Sequence, residues 1–298
     1  MTRRGWILFI ALGIIWGIPY LLIKVAVRDV SPPFLVLMRT GGGALLLLPI
    51  AGARGELRPL VHHWKALAAF SLSEMGLPWL ILFNAERHLP SSLTGLLISA
   101  VPLVGALLAW LSGSDRIDTR RLAGLLLGIA GVGLLVGFAI GGSQVLAAVS
   151  LLVVVVGYAV GPWILSRHLA SLPPLGVIAG ALALCAVVYA PIAAFQLPSR
   201  AVSAAAIESI ATLTVVCTAV AFLVFFALVG EVGAMRMTLI TYVNPAVAVL
   251  LGVTVLGEHF GVATGVGFVL ILSGCFLATR PATSPGSPAV AAPPVPEP

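Results

Sequence analysis

The sequence predicts an all-α integral membrane protein with about ten transmembrane helices, arranged as two inverted five-helix repeats. Three observations predict this fold class. The composition is too apolar for a protein that faces water, apolar stretches of membrane-spanning length follow one another along the chain, and the chain repeats itself at a spacing of 143 residues.

The composition places most of the molecular surface in lipid. Hydrophobic residues make up 60% of the chain and charged residues only 9%, whereas a soluble domain carries roughly 25% charged residues. The net charge of +6 comes from Lys and Arg side chains scattered between apolar runs. That spacing is typical of membrane loops rather than of a basic nucleic-acid-binding patch. The expected partners are therefore a lipid bilayer and a small-molecule substrate, and neither nucleic acid nor an obligate protein partner is expected.

The apolar stretches have the length of transmembrane helices, because a helix needs about 20 residues to cross the hydrocarbon core. Continuous runs such as residues 151–156 do not alternate as barrel strands do. The first stretch is also too long for a signal-peptide core, so it is expected to be retained. The predicted spans lie near residues 6–27, 34–52, 64–85, 91–111, 121–140, 144–165, 174–195, 204–229, 233–256 and 261–279.

The distribution of Lys and Arg predicts the orientation. If the N-terminus is cytoplasmic, the cytoplasmic connections hold eleven of these residues and the opposite connections hold four. The positive-inside rule then places both termini in the cytoplasm of a multi-pass protein of the cell (inner) membrane. Residues 281–298 contain seven prolines and are expected to form a disordered cytoplasmic tail.

An internal repeat divides the membrane domain into two halves. A shift of 143 residues places Pro102 on Pro245, Gly124 on Gly267 and Gly131 on Gly274. Five spans per half force the two copies into opposite orientations, an arrangement found in many secondary transporters. The expected domains are a first repeat at 1–140, a second repeat at 141–280 and the tail at 281–298.

An ordered set of short motifs occurs across both halves. It comprises Trp16-Gly17, Pro32 with Arg39, Ala85-Glu86-Arg87-His88-Leu89-Pro90, Pro102, Gly233-Ala234, Asn244-Pro245, and Gly257-Glu258 followed by Gly267 and Gly274. With these motifs the chain resembles the EamA family of the drug/metabolite transporter superfamily over nearly its whole length short of the tail. The resemblance implies a ten-helix secondary transporter of metabolites or drugs, commonly working by efflux. One departure is Ser114-Asp115, where the family often has Gly-Glu after its fourth span.

Glu74 and Arg39 are charged residues inside predicted spans, where charge is costly. Glu74 is the strongest candidate for binding a proton or a cationic group, the alternative being a neutral carboxyl that holds helices together. With Ser71 and Pro78 it is expected to share one face of span three, beside Trp79. Arg39 could pair with an anionic group or with Glu74, although a structural or interfacial role is favoured.

Aromatic and polar residues near prolines complete the set of candidates. Trp16 and Tyr20 flank Pro19 in span one, and Tyr158 is their counterpart in span six; such residues are expected either to line a cavity or to lie at the membrane interface. In span nine Thr241, Tyr242 and Asn244 precede Pro245, which leaves the carbonyl of Thr241 without its helical donor. These residues are expected to form a ligand site or hinge, or else an interhelical hydrogen bond.

Other functions receive less support from the sequence. A membrane enzyme is disfavoured because neither a P-loop nor an HExxH motif occurs, and no catalytic residue, cofactor or metal site is expected. Cys185, Cys217 and Cys275 are isolated in apolar stretches and are expected to pack as small hydrophobic residues. A channel would need more polar residues inside the spans, whereas a lipid flippase of the same architecture stays an alternative to a solute carrier. The candidate coupling ion is the proton.

Overall fold

The computed structural model describes residues 2–113, 118–137, 142–232 and 240–279. Across these ranges nine helices are long and apolar enough to cross a membrane, and a tenth, shorter apolar helix completes the order. Secondary structure in the described ranges is helical, without strands. The fold class predicted from the sequence is confirmed.

The helices follow the predicted spans to within a few residues at most ends. We number them α1 (Arg3–Ala26), α2 (Pro32–Ala53), α3 (Arg58–Glu86), α4 (Ser91–Leu111), α5 (Thr119–Gly137), α6 (Gly142–Leu169), α7 (Pro174–Ala194), α8 (Ala204–Glu231), α9 (Ile240–Thr254) and α10 (Val262–Thr279). Several features predicted from the sequence lie outside the described residues: Ser114-Asp115, the 140/141 repeat boundary, Gly233-Ala234 and the tail at 281–298.

Three helices in the described ranges contain a π-helical turn, one of them α6 at Leu165–Leu169, and the other two turns lie at equivalent positions of the two repeats. One turn spans Leu72–Gly76 in α3, and the other spans Val215–Val220 in α8. The 143-residue shift carries the start of the first turn onto the start of the second. A π turn has more residues per turn than an α-helix, so it rotates the side chains that follow and often marks a functional position.

The π turn in α3 corrects one prediction from the sequence. Ser71, Glu74 and Pro78 do not share a face: the Ser71 hydroxyl donates to the carbonyl of Ala181 in α7 at 2.7 Å, whereas Glu74 and Pro78 face Gly161 and Gly157 of α6. Regular helical spacing predicted a common face, and the π turn separates the three residues onto two neighbours.

The packing of α5 against α10 joins the repeats symmetrically. A methyl group at Gly124 would lie 2.6 Å from the backbone nitrogen of Ala278 and 2.8 Å from the carbonyl oxygen of Gly274. At the other end of the contact, a methyl group at Gly131 would lie 2.9 Å from the carbonyl oxygen of Gly267. Gly124 corresponds to Gly267 in the repeat, and Gly131 corresponds to Gly274. Exchanging the two halves therefore turns the contact between Gly124 and Gly274 into the contact between Gly267 and Gly131. This is the relation expected of a local two-fold axis.

Candidate functional site

Arg39 is buried between the two repeats. Its side chain, only 6% exposed, extends from α2 towards the π turn of α8. The Nε atom donates to Thr218 Oγ1 at 2.9 Å, and one terminal nitrogen donates to the carbonyl oxygen of Cys217 at 3.4 Å. This position agrees with the structural part of the favoured expectation, whereas the interfacial part is wrong, because the side chain is enclosed by protein instead of reaching towards a membrane surface.

Aromatic residues surround the guanidinium group of Arg39. Its central carbon lies 3.8 Å from the centroid of the Trp79 ring, a cation–π contact. Trp79 stacks in turn on Phe83 with the ring centroids 6.3 Å apart. The hydroxyl of Tyr158 lies within reach of Trp79, and both Tyr158 and Tyr20 interact electrostatically with Arg39. Helices α1, α2 and α6 thus each contribute one of these residues to a single cluster, and α3 contributes Trp79 and Phe83.

Glu74 lies on the π turn of α3, next to this cluster. Its Oε2 atom is buried and has no hydrogen-bond partner among the described residues. The carboxyl group packs against Gly161, where any larger residue would collide with it, and it interacts electrostatically with Tyr158. The ion pair between Arg39 and Glu74 allowed by the sequence is not formed, since the one salt bridge within the described ranges joins Arg54 and Glu56.

Trp16 belongs to a neighbouring aromatic group rather than to the Arg39 cluster. Its ring lies 6.2 Å from that of Phe222 and 5.4 Å from that of Phe225, both in α8. This group packs on the part of α8 that follows its π turn. Trp16 therefore links α1 to the helix that holds Arg39.

The polar residues of α9 are divided between two neighbouring helices. The side-chain amide of Asn244 donates to the carbonyl oxygen of Gly13 in α1 and to that of Ile240, both at 3.1 Å. Tyr242 points the other way, with its hydroxyl 3.5 Å from Thr279 Oγ1 of α10. Thr241 is half-buried one residue after the described start of α9. The structure therefore directs Tyr242 and Asn244 to partners other than Arg39 and Glu74.

Sequence reasoning missed two features, one at the Arg39 cluster and one at the end of α3. The first is the pair Cys217 and Thr218, which holds Arg39 and sits on the π turn that corresponds to that of Glu74; hydropathy gives no signal for such a turn. The second is Glu86, which looks like a loop residue but is completely buried at the end of α3. A signal for this burial is present in the sequence at Lys24. This cation lies inside an apolar stretch and therefore requires hydrogen-bond acceptors nearby, which the end of α3 provides.

The cluster combines features that suit a small polar solute. The described hydrogen bonds use two of the five N–H donors of the Arg39 guanidinium, and no carboxylate in the described ranges pairs with it. A cation buried in this way can receive an anionic or carbonyl group of a ligand. The aromatic rings of Trp79, Tyr20 and Tyr158 offer flat apolar surface beside it, and Glu74 offers an exchangeable proton.

Comparison with known proteins agrees with this architecture. A curated relative, the uncharacterized transporter YvbV of Bacillus subtilis, is 26% identical over 285 residues, which cover 94% of this chain and 92% of YvbV. The uncharacterized inner membrane transporter YedA of Escherichia coli K12 is 28% identical over 258 residues, covering 83% of this chain and 81% of YedA. One crystal structure superposes with a TM-score of 0.66 at 21% identity, over 94% of this chain and 97% of the other, and shows the shared fold.

The family profile matches each half of the chain separately. The profile of the EamA-like transporter family covers residues 3–137 and again residues 145–280. The predicted resemblance is therefore confirmed over both five-helix halves. The chain belongs to the EamA-like transporter family and is a multi-pass membrane transporter.

Proposed function

We propose that the protein carries a small organic solute by alternating access, with the solute bound between the repeats at Arg39, Trp79, Tyr20 and Tyr158. The observation that carries the proposal is the position of Arg39, a buried cation without a carboxylate partner in the described ranges that is held by both repeats. Rocking of one repeat against the other would change this contact, and with it the exposure of the site to the two sides of the membrane.

Proton coupling through Glu74 is part of the proposal. A buried carboxylate without a hydrogen-bond donor is unfavourable, so Glu74 is expected to be neutral in this conformation. Hydration of the site from one side of the membrane would favour release of the proton. Glu74 could therefore exchange protons with each side in turn while the solute site changes its exposure.

For direction and location we propose efflux across the cell (inner) membrane, with both termini in the cytoplasm. The support comes from the family resemblance, from the excess of Lys and Arg in alternate connections, and from YedA, which is named an inner membrane transporter. For the domain organisation we propose repeats at residues 1–140 and 141–280.

A lipid flippase is the second candidate, because the structure has a lateral cleft. The cleft is shallow and open, with a volume of about 460 Å³, and lies along α10 beside Tyr242 of α9, lined mainly by apolar atoms of Tyr242, Leu272, Phe276 and Leu277. An acyl chain fits such a surface better than a polar solute does. The cleft lies on the opposite face of α9 from Asn244 and is separate from the Arg39 cluster.

The test is transport by the purified protein in reconstituted vesicles, with a metabolite panel measured with and without a proton gradient. Solute transport that Arg39→Gln abolishes and Arg200→Gln leaves intact would support the solute carrier, because Arg200 is exposed in a connection. Movement of a fluorescent phospholipid between leaflets, without transport of any solute in the panel, would instead support the flippase.

A further inference from the structure

Three buried oxygen atoms without partners among the described residues occur where α3 ends and α4 begins. Both carboxyl oxygens of Glu86 and the hydroxyl of Ser91 are buried with no hydrogen-bond partner among the described residues. An unsatisfied buried polar group costs about 1–3 kcal/mol, and a charged one costs more. Glu86 therefore needs an explanation apart from that of the central cluster.

Lys24 of α1 lies against the end of α3 that carries Glu86. Its ammonium group donates to the carbonyl oxygens of Glu86 and Leu89, both at 2.6 Å. Lys24 thus binds the backbone of Glu86 and not its carboxyl group. The hydroxyl of Thr94 also lies close to Glu86 but donates to the carbonyl oxygen of Pro90 at 3.1 Å.

Glu258, from the second repeat, closes this end of the first repeat. Its carboxylate accepts from the backbone nitrogens of Ser91 at 2.7 Å and Ser92 at 2.9 Å, and from Ser92 Oγ at 2.7 Å. These groups form the N-terminus of α4, where a negative charge is stabilised. We call this contact the Glu258 latch. It ties the connection between α9 and α10 to the start of α4.

The charges around Glu86 determine whether its carboxyl group is protonated while the latch is closed. The ionisable groups that face it are Lys24 and Tyr20 from α1 and Glu258 from the second repeat, with Arg28 near Lys24. If Glu86 is neutral, the positive charge of the Lys24 ammonium balances the negative charge of the Glu258 carboxylate. An ionised Glu86 would add a second negative charge in a site closed to water, where the nearby hydroxyl of Thr94 donates instead to the carbonyl oxygen of Pro90.

We infer that Glu86 is a proton-binding residue of a gate at this end of the transporter. With the gate closed, Glu86 carries a proton and Lys24 holds the carbonyls of Glu86 and Leu89. When the Glu258 latch opens, water enters, the proton passes from the Glu86 carboxyl to that water, and the carboxylate pairs with Lys24. Low pH therefore favours the closed gate, and high pH favours the open one.

This inference rests on the transporter function, but it does not depend on Arg39 or Glu74, and Tyr20 is the one residue that the gate shares with the Arg39 cluster. Its test needs no substrate. A cysteine placed at Leu93 reports on the gate, because Leu93 lines a cavity of about 160 Å³ with Pro90, His259 and Gln144 beside the latch. A cysteine at Phe195, which is 90% exposed, corrects for the pH dependence of thiol reactivity. The three native cysteines are buried, and their background reaction is subtracted.

The measurement is the rate of maleimide reaction at L93C divided by that at F195C, from about pH 6 to pH 8.5. We expect the ratio to rise several-fold with pH in the otherwise wild-type protein. It should stay low and flat with Glu86→Gln, because the amide mimics the protonated acid. Glu258→Gln should raise the ratio at every pH by weakening the latch.

Asp29→Asn is the matched control. Asp29 also accepts from the N-terminus of a helix at the same end, at 2.9 Å from the backbone nitrogen of Ser203, but it is exposed. The hydrogen bonds from Ser203 lower the pKa of Asp29, so it stays ionised throughout the range. Asp29→Asn should therefore leave the pH response unchanged.

The inference would be overturned if the ratio of reaction rates did not change with pH in the parent protein. A wild-type pH response in Glu86→Gln would overturn it as well. If Glu86→Gln does not fold, Lys24→Met gives the same test. Loss of the neighbouring cation should move the midpoint of the response to higher pH, and an unmoved midpoint would contradict the inference. The solute-site proposal would fail if Arg39→Gln kept wild-type transport, a result that leaves this pH response untouched, so the two proposals are tested separately.

Discussion

The guanidinium of Arg39 lies 3.8 Å from the centroid of the Trp79 ring, while its Nε atom donates to Thr218. Arg39 and Trp79 come from the first repeat, and Thr218 comes from the second. A cation is therefore shared between halves that must move relative to each other in alternating access. The Trp79 ring and the Thr218 hydroxyl both stabilise the guanidinium. These contacts explain why Arg39 can be buried in the bundle without contact to water or to a carboxylate.

Thr218→Val is expected to destabilise the protein while keeping the side-chain shape. It removes the acceptor for Arg39 Nε, and leaving a buried charged donor unsatisfied costs about 1–3 kcal/mol. Thermal unfolding of the purified protein in detergent measures the effect. Thr254→Val is the control, because Thr254 is exposed and bonds only to the carbonyl of Leu250 in its own helix. Equal unfolding temperatures for the two variants would show that the Arg39 bond contributes nothing to stability.

Gly124→Ala and Gly274→Ala are expected to separate α5 from α10. In each case the new methyl group would lie 2.5–2.6 Å from backbone atoms of the other helix, and backbone cannot move aside as a flexible side chain can. Overpacking of this kind costs about 1–3 kcal/mol. Gly133→Ala, also in α5, meets nothing within 4 Å and should be neutral or slightly stabilising. The yield of folded protein and its unfolding temperature check this, and similar values for all three variants would contradict the close contact.

Much of this fold follows from the sequence because hydropathy and repetition are properties of the chain itself. Length and apolar composition determine where a helix can cross the bilayer, and the 143-residue register predicts which residues of the two halves are equivalent. The equivalence of Gly124 with Gly267 and of Gly131 with Gly274, seen first as an alignment, reappears in the α5–α10 contact.

The site is less predictable because it depends on helix rotation and on contacts between distant segments. The π turns at Leu72–Gly76 and Val215–Val220 leave no mark in hydropathy, yet they direct Glu74 towards α6 and place Thr218 next to Arg39. Glu86 stands among polar residues that are typical of a loop. Its burial arises only when Lys24 and Glu258, from remote parts of the chain, cover it.

Both termini are expected in the cytoplasm, because eleven of the Lys and Arg residues in connections then lie on the cytoplasmic side and four on the other. Fusions of a periplasm-dependent and a cytoplasm-dependent reporter after residue 280 check the C-terminus. Only the cytoplasmic reporter should be active. Activity of the periplasmic reporter alone would contradict the proposed orientation.

Glu74→Gln tests the central claim most directly, measured as proton-driven accumulation and as solute exchange in vesicles, beside Glu208→Gln as an exposed carboxyl control. The amide preserves the size of the side chain against Gly161 but cannot exchange a proton. The account predicts wild-type folding, retained solute binding and exchange, and loss of accumulation driven by the proton gradient, with Glu208→Gln unaffected. Glu74→Gln protein with wild-type stability and wild-type proton-driven accumulation would contradict it.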